Sequence, residues 1–311
     1  MQEILKDICN ELGIKLTVFS KDWCFLLEKG EISKVISGYK FPLNDHAAGL
    51  VADDKYALYE LLKIKGIPVV EHKILFAPSN KNNYAVGSNT IEEAVEYFNN
   101  NNQELVIKPN NGTCGNGVER IKNLTQLFTQ INKLFVTNHS ISLCPYYNIK
   151  TEYRSIILDG KIECMYAKKR PIIIGNGEKS IKELLNEFNQ QYFEEENNYF
   201  NKNIDLDYIP NAGEVVEYNW QFNLAKGSQV IVDIPKEIKA QIETIALNAY
   251  KASNLNFCSV DIVETINDEY LVLEINSGVT IKRYIDLVPN GYQTAKEIYK
   301  KAIIKMFNLK Y

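Results

Sequence analysis

The sequence predicts an α+β protein, with helices interleaved among strands that are mainly antiparallel. Three observations lead there. The 311-residue chain is 45% apolar and 24% charged, an ordinary globular composition with room for one large domain or two to three small ones. Segments with apolar residues at helical spacing recur along its length, separated by short apolar runs of strand length. Beyond residue 140 the texture shifts to strands rich in Ile, Val and Tyr, which argues for α+β layers rather than a doubly wound parallel sheet.

Taken in order, residues 3–12 read as an amphipathic helix and Lys15 to Phe19 as an alternating strand. Lys55 to Leu62 has helical spacing, with Asp53 or Asp54 as its cap, and stops at Gly66 before Ile67-Pro68. A strand at Glu71 to Phe76, a helix at Thr90 to Asn99, an Asn turn at 99–102 and a strand at Glu104 to Lys108 follow. Strands are then expected at 141–144, 152–158, 161–167 and 171–174, interrupted by a helix at 180–190. Glu194 to Asn203 is polar and Asn-rich, a surface excursion or a short linker. Strands at 214–218 and 229–233, a helix over 236–253, strands at 257–265 and 269–276 and a helix at 293–306 complete the chain.

Lys plus Arg is 35 and Asp plus Glu is 39, a net charge of −4, which disfavours a dedicated binder of nucleic acid or of an anionic membrane. No run approaches the ~18 apolar residues that span a bilayer, and the start Met1-Gln2-Glu3-Ile4-Leu5-Lys6-Asp7 lacks the features of a signal peptide, so a cytoplasmic location is expected. Six cysteines without C-x-x-C spacing and three histidines make no zinc cluster and read as buried, reduced thiols.

Two constellations carry chemistry. In Leu105-Val106-Ile107-Lys108-Pro109-Asn110-Asn111-Gly112-Thr113-Cys114-Gly115-Asn116-Gly117-Val118, an apolar strand delivers a lysine straight into a loop of Gly and small polar residues. An ammonium and several backbone N–H groups then converge, as a polyphosphate requires, although a hairpin turn using Gly only for positive φ reads equally well. Neither the Walker A nor the G-x-G-x-x-G pattern is present. The second constellation pairs Phe257 to Val263 with Tyr270 to Asn276 across a turn at Asn267-Asp268. Glu274 and Asn276 stand at i and i+2 and leave one face of the strand, and hairpin pairing can set Asp261 opposite them. Two carboxylates and an amide are hard oxygen donors suited to Mg²⁺. Glu274 sits in an otherwise apolar run, where an unpaired carboxylate is costly.

A lysine on a strand before a Gly-rich loop, followed at a distance by Asp and Glu-x-Asn, resembles the ATP-grasp superfamily of carboxylate–amine ligases. The helix opening Asp54-Lys55 and ending Gly66-Ile67-Pro68 resembles that superfamily's first helix. Arg170-Pro171-Ile172-Ile173-Ile174-Gly175-Asn176-Gly177-Glu178-Lys179-Ser180-Ile181 with Leu184-Leu185 is similar to a segment of its cyanophycin synthetases and bifunctional glutathione synthetases. So is Ile209-Pro210-Asn211-Ala212-Gly213-Glu214 leading to Asn223-Leu224-Ala225-Lys226-Gly227-Ser228. The resemblance covers roughly residues 50–311. It implies an ATP-grasp fold: two α+β lobes, 51–147 with the Gly-rich lid and 148–311 with the metal site, clasp ATP behind a short α/β segment at 1–50.

The resemblance also implies roles. Lys55 and Lys108 would contact ATP phosphates, with Asn111, Gly112, Thr113, Gly115, Asn116 and Gly117 closing over them. Leu143 to Tyr147, with Cys144, Tyr146 and Tyr147, would meet adenine through backbone groups, and Glu152 would hold the ribose hydroxyls. Asp261, Glu274 and Asn276 would hold Mg²⁺, for which Mn²⁺ could substitute. Arg154, Arg170, Lys282 and Arg283 are candidates for holding substrate carboxylates or the leaving phosphate, and each also reads as an ordinary solvated charge. The chain departs from the pattern at Pro145, where the hinge commonly carries Glu, and at Asn276 to Tyr284, where cyanophycin-like members read N-x-G-P-G-L-R-x-H.

The implied activity is ADP-forming amide synthesis on an amino acid or short peptide, through an acyl phosphate. A kinase using the same ATP half and a nucleotide-binding module without turnover are the alternatives. Small-molecule carboxylate and amine partners are expected, without nucleic acid or membrane, and relatives of this type imply a homodimer.

Overall fold

The computed structural model describes residues 1–78, 91–112, 115–192 and 204–309. They divide into two units, one of Met1–Met165 with Pro235–Tyr311 and one of Tyr166–Ile234.

The first unit opens with α1 (Gln2–Leu12), closed by Gly13 in the left-handed conformation, and a meander of β1 (Lys15–Phe19), β2 (Cys24–Lys29) and β3 (Ile32–Ser37). The sequence reading stops at β1. In β2 burial alternates while polarity does not, so the run Cys24-Phe25-Leu26-Leu27 hides its period. Next come α2 (His46–Asp53) and α3 (Lys55–Ile64), separated by one residue. Asp54 is that residue and caps α3, its side chain accepting from the Ala57 N–H at 2.9 Å, whereas Asp53 belongs to α2.

A four-stranded antiparallel sheet follows, built from β4 (Lys73–Phe76), β5 (Leu105–Pro109), β6 (Glu119–Ile121) and β7 (Ser140–Pro145) in the order β4-β7-β5-β6. Leu75, Leu105, Ile107, Ile141 and Leu143 point to one face, where they pack on Ala94 and Phe98 of α4 (Ile91–Asn100) and on Leu127, Ile131 and Leu134 of α5 (Leu124–Phe135). Full burial of each such aliphatic side chain contributes about 1.5–3 kcal/mol, so this face is fixed as the inner one. Alternation along the strands then sends Val106, Lys108, Ser142 and Cys144 to the other face.

A third sheet has neighbouring strands in the order β9-β8-β13-β14, with β8 (Ile149–Leu158), β9 (Lys161–Lys169, whose residues from Tyr166 on belong to the second unit), β13 (Phe257–Thr265) and β14 (Tyr270–Asn276). Every residue of β13 is buried, as expected of a strand paired on both edges. Helices α7 (Lys236–Ser253), α8 (Lys282–Leu287) and α9 (Gly291–Met306) belong to the first unit. The first 50 residues brace the base of the β13–β14 hairpin. Phe41 stacks on Tyr299 and meets Phe257 edge-on, and Asn44 donates to the carbonyls of Phe257 and Ser277 at 2.7 and 3.1 Å while accepting the Phe257 N–H.

The second unit pairs β10 (Ile172–Ile174) with β11 (Val215–Glu217) and packs α6 (Ile181–Tyr192) on them through Ile173, Ile181, Leu185 and Tyr218. β12 (Gln229–Ile231) pairs with the last residues of β9. Gly175 is required where the two motif segments meet, because a Cβ there would lie 2.3 Å from the Asn211 carbonyl oxygen. The expected excursion at Glu194 to Asn203 lies outside the described residues. Of the cysteines, Cys9, Cys24, Cys144, Cys164 and Cys258 are free thiols, all but Cys24 buried, and Cys114 lies outside the described residues. Among the described residues no helix is long and apolar enough to cross a membrane.

Candidate active site

The hairpin of β13 and β14 forms with the register its spacing predicts. Asp261 stands directly opposite Glu274, and Ser259 opposite Asn276, with a bulge just beyond Asp261. On the other side of β13, Arg154 faces Asp261 and Glu152 faces Val263. Directly paired residues share a face, so Glu152, Arg154, Asp261, Glu274 and Asn276 project from one side of the sheet.

Asp261 is fully buried. Arg154 grips it with two parallel bonds, Nε to Oδ1 at 2.7 Å and Nη2 to Oδ2 at 2.6 Å. The arginine is thus committed to a protein carboxylate, where the resemblance made it a candidate for a substrate group. Asn276 Nδ2 donates to Asp261 Oδ2 and to Glu274 Oε1, both at 3.2 Å, which draws the three side chains together. Among the described residues no group of three or more His, Cys, Asp or Glu side chains gathers for a metal. Two carboxylates and an amide oxygen fit a hard divalent cation that completes its shell from water and phosphate, and do not fit a closed all-protein cage.

Lys55 and Lys108 come to one place from different elements. Lys55 opens α3, is 9% exposed, and rests its ammonium on the carbonyls of Asn110 and Gly112 at 3.3 and 2.6 Å. Burial lowers its pKa below the ordinary lysine range; the Glu274 carboxylate pushes it back up and the Lys108 ammonium pushes it down. Lys108 is 6% exposed and sits on the face of β5 away from the helices. Among the described residues its ammonium makes no hydrogen bond or ion pair, which is expensive for a buried cation unless an anion completes it.

In the loop, Gly115 and Gly117 have φ of 68° and 70°, conformations that favour glycine. Asn111, Asn116 and Gly117 are exposed, Gly112 is half-buried, and Thr113 and Cys114 lie outside the described residues. The hinge offers fewer donors than the resemblance implies. Pro145 has no N–H, and the Tyr146 N–H is donated to the Glu104 carbonyl at 3.1 Å. The Tyr146 ring lies under the Arg120 guanidinium, 3.5 Å away, and Arg120 is paired with Glu104 at 2.7 Å. The Tyr147 hydroxyl accepts the Glu71 N–H at 3.5 Å, and the Cys144 thiol, its pKa pushed up by burial, points to the Val106 carbonyl.

The remaining candidates have contacts of their own. Arg170 belongs to the second unit, where it pairs with Glu217 at 3.2 Å and stands over the Phe222 ring. Arg283 faces Asp286 at 3.7 Å along α8, and the pKa of the Met1 amine is lowered first by burial and then by the charge of Lys282. Two residues to which the sequence analysis gave no role belong to the lysine face. Asn110 is fully buried, and its Oδ1 accepts the Tyr56 N–H at 3.2 Å. His72 is 4% exposed, and its Nδ1 shares a 2.7 Å hydrogen bond with Ser142 Oγ. The i+2 spacing from Lys108 to Asn110 could have pointed to the first; nothing local in the sequence marks the second.

An acid–acid–amide set on one antiparallel sheet and a lysine on another, with a second lysine from α3 beside it, are the groups the sequence resemblance implied. Residues 172–299 match the family model of the RimK-like ATP-grasp domain. The chain is 24% identical over 197 residues to the glutathione biosynthesis bifunctional protein of Listeria monocytogenes, covering 56% of this chain and 25% of that protein. It is 25% identical over 232 residues to the cyanophycin synthetase of a Nostoc species, covering 69% and 24%. The chain therefore spans about a quarter of the length of these relatives. A bifunctional glutathione synthetase structure from Pasteurella multocida superposes with a TM-score of 0.55 at 17% identity, covering 96% of this chain and 44% of that one. The likeness in fold thus reaches into the first 50 residues, beyond the resemblance read from sequence.

A contrast tests the lysine assignment. Lys108→Met keeps the apolar stem and removes the ammonium, so ATP affinity is expected to fall by about tenfold or more. Lys122→Met removes a half-exposed charge 4.0 Å from Glu104 and is expected to change nothing measurable. Calorimetric titration of ATP into both variants reads the difference, and equal affinities would make Lys108 an ordinary strand-end lysine.

Proposed function

We propose that this chain is an ATP-dependent carboxylate–amine ligase that forms an amide or peptide bond and releases ADP and phosphate. The observation that carries the reading is the register setting Asp261 opposite Glu274, on a face whose charge is felt by Lys55. In this reading Lys55 and Lys108 hold the ATP phosphates, and residues 111, 112 and 115–117 of the 51–147 lobe close over them. Glu152 serves the ribose, and the 143–147 hinge serves the base through its carbonyls. Asp261, Glu274 and Asn276 of the 148–311 lobe would hold Mg²⁺, which neutralises phosphate charge and aligns the transferred group.

The chemistry balances as two transfers. A substrate carboxylate oxygen attacks the γ-phosphorus, the bond to the β–γ bridging oxygen breaks, and ADP leaves. The amine then attacks the acyl carbon, loses a proton, and expels inorganic phosphate. The lysines stabilise charge that builds on the phosphates, and the loop excludes water that would hydrolyse the acyl phosphate. Arg154 fixes the Asp261 carboxylate so that its oxygens are presented in one orientation. The likeness to a glutathione biosynthesis protein and a cyanophycin synthetase supports an amino acid or short peptide as substrate.

The test is an ADP-release screen of the purified protein with amino acids singly and in pairs, with mass spectrometry of the products. A new amide with stoichiometric phosphate is expected. A stable phosphomonoester would make the protein a kinase, and no ADP release with any pair or peptide would contradict the ligase reading.

A further inference from the structure

A buried polar atom without a partner is rare in a folded protein and asks for an explanation. His72 Nε2 and Asn110 Nδ2 are two such atoms, and both lie on the lysine-bearing face of the β4-β7-β5-β6 sheet. Ser142 is opposite Lys108 in register and holds His72, and Asn110 follows Lys108 by two residues. The Asn110 carbonyl also accepts from Lys55. The remaining polar atom of each side chain is fixed, Nδ1 by Ser142 and Oδ1 by the Tyr56 N–H, and the second bond makes Nδ2 the donor end of the amide.

The charges that act on the His72 ring have one sign. Burial holds the His72 imidazole well below its usual pKa of 6.5, and Lys108 and Lys55 push it the same way, so the ring is neutral at pH 7. A neutral N–H donor suits this place, because it can bind an anion without adding a third cation to a buried pair. Leaving such donors unsatisfied costs free energy that a bound acceptor would recover.

The geometry points to His72 Nε2–H and Asn110 Nδ2–H as hydrogen-bond donors to phosphate oxygens of the nucleotide, completing with Lys55 and Lys108 a four-membered anion site. The Ser142 hydroxyl then donates to Nδ1, which leaves the proton on Nε2. The lysine stems have rotatable bonds enough for the ammonium heads to part around an entering phosphate. This inference rests on the nucleotide reading proposed above.

The experiment titrates ATP, tripolyphosphate and adenosine into the full chain and into His72→Phe, His72→Gln, Asn110→Ala and Lys108→Met, with melting temperatures measured separately without ligand. His72→Phe and Asn110→Ala are each expected to weaken ATP and tripolyphosphate by about tenfold, as for a hydrogen bond to a charged group, and to change adenosine by less than about twofold. His72→Gln, whose amide can donate from nearly the same place, should recover most of the loss. If His72→Phe does not fold, Ser142→Ala, a small change at a buried site, should show a lesser loss in the same direction. Unchanged ATP affinity in the His72 and Asn110 variants, with Lys108→Met weakened, overturns this inference alone, as does an equal loss for adenosine. No ATP binding by the unmodified chain overturns the nucleotide reading with it.

Discussion

Glu274→Gln is expected to cut ADP formation by about 100-fold or more while leaving the melting temperature within a degree or two of the unmodified chain. The two side chains are close in shape, and Glu274 Oε1 accepts a hydrogen bond from Asn276 that the Gln amide oxygen can also accept. What disappears is one negative charge at the proposed cation site, and several kcal/mol of transition-state stabilisation depend on a well-held metal. A second consequence follows from Lys55, whose pKa burial lowers and the Glu274 carboxylate holds up. Without that carboxylate the ammonium deprotonates at a lower pH. ATP affinity in the variant should therefore fall off earlier on the alkaline side than in the unmodified chain. Near-normal turnover at millimolar Mg²⁺ would remove Glu274 from the site.

Arg154→Met should be the most destabilising single change on this face, by about 3–5 kcal/mol. It leaves the fully buried Asp261 carboxylate without its guanidinium, and breaking one half of a buried ion pair costs far more than replacing both halves. The double variant Arg154→Met with Asp261→Asn removes the stranded charge and should recover a substantial part of the loss. Denaturant unfolding of the single and double variants measures the coupling. Additive losses would mean that the pair contributes no net interaction and that Arg154 acts elsewhere.

The hairpin was legible because its chemistry is local. Glu274 and Asn276 are two residues apart, the turn at Asn267-Asp268 is short, and strand period alone sets the face. Lys108 was legible for the same reason, standing where an apolar strand runs into a glycine loop. What the sequence concealed is the partner of each charge. Arg154 lies more than a hundred residues from Asp261, and only the pairing of β8 with β13 shows that it is occupied by that carboxylate. His72 is marked by no motif, and its place depends on β4 and β7 being neighbours although α4, β5, β6 and α5 come between them in the chain. Strands β2 and β3 were missed because burial in β2 alternates without alternating polarity, and the bracing of the hairpin base by Phe41 and Asn44 is wholly tertiary.

Hydrogen exchange of the intact chain, with and without a non-hydrolysable ATP analogue plus Mg²⁺, tests most directly whether the lysine face and the acidic hairpin form one nucleotide site. Gly115 and Gly117 carry no side chain to restrict the loop, so ordering by backbone contacts to phosphate should be visible there. Protection is expected to rise together in residues 108–112 and 115–118, in 142–147, and in the strands carrying Asp261 and Glu274. Protection of those segments that does not change with nucleotide, or that rises only elsewhere in the chain, would contradict the site.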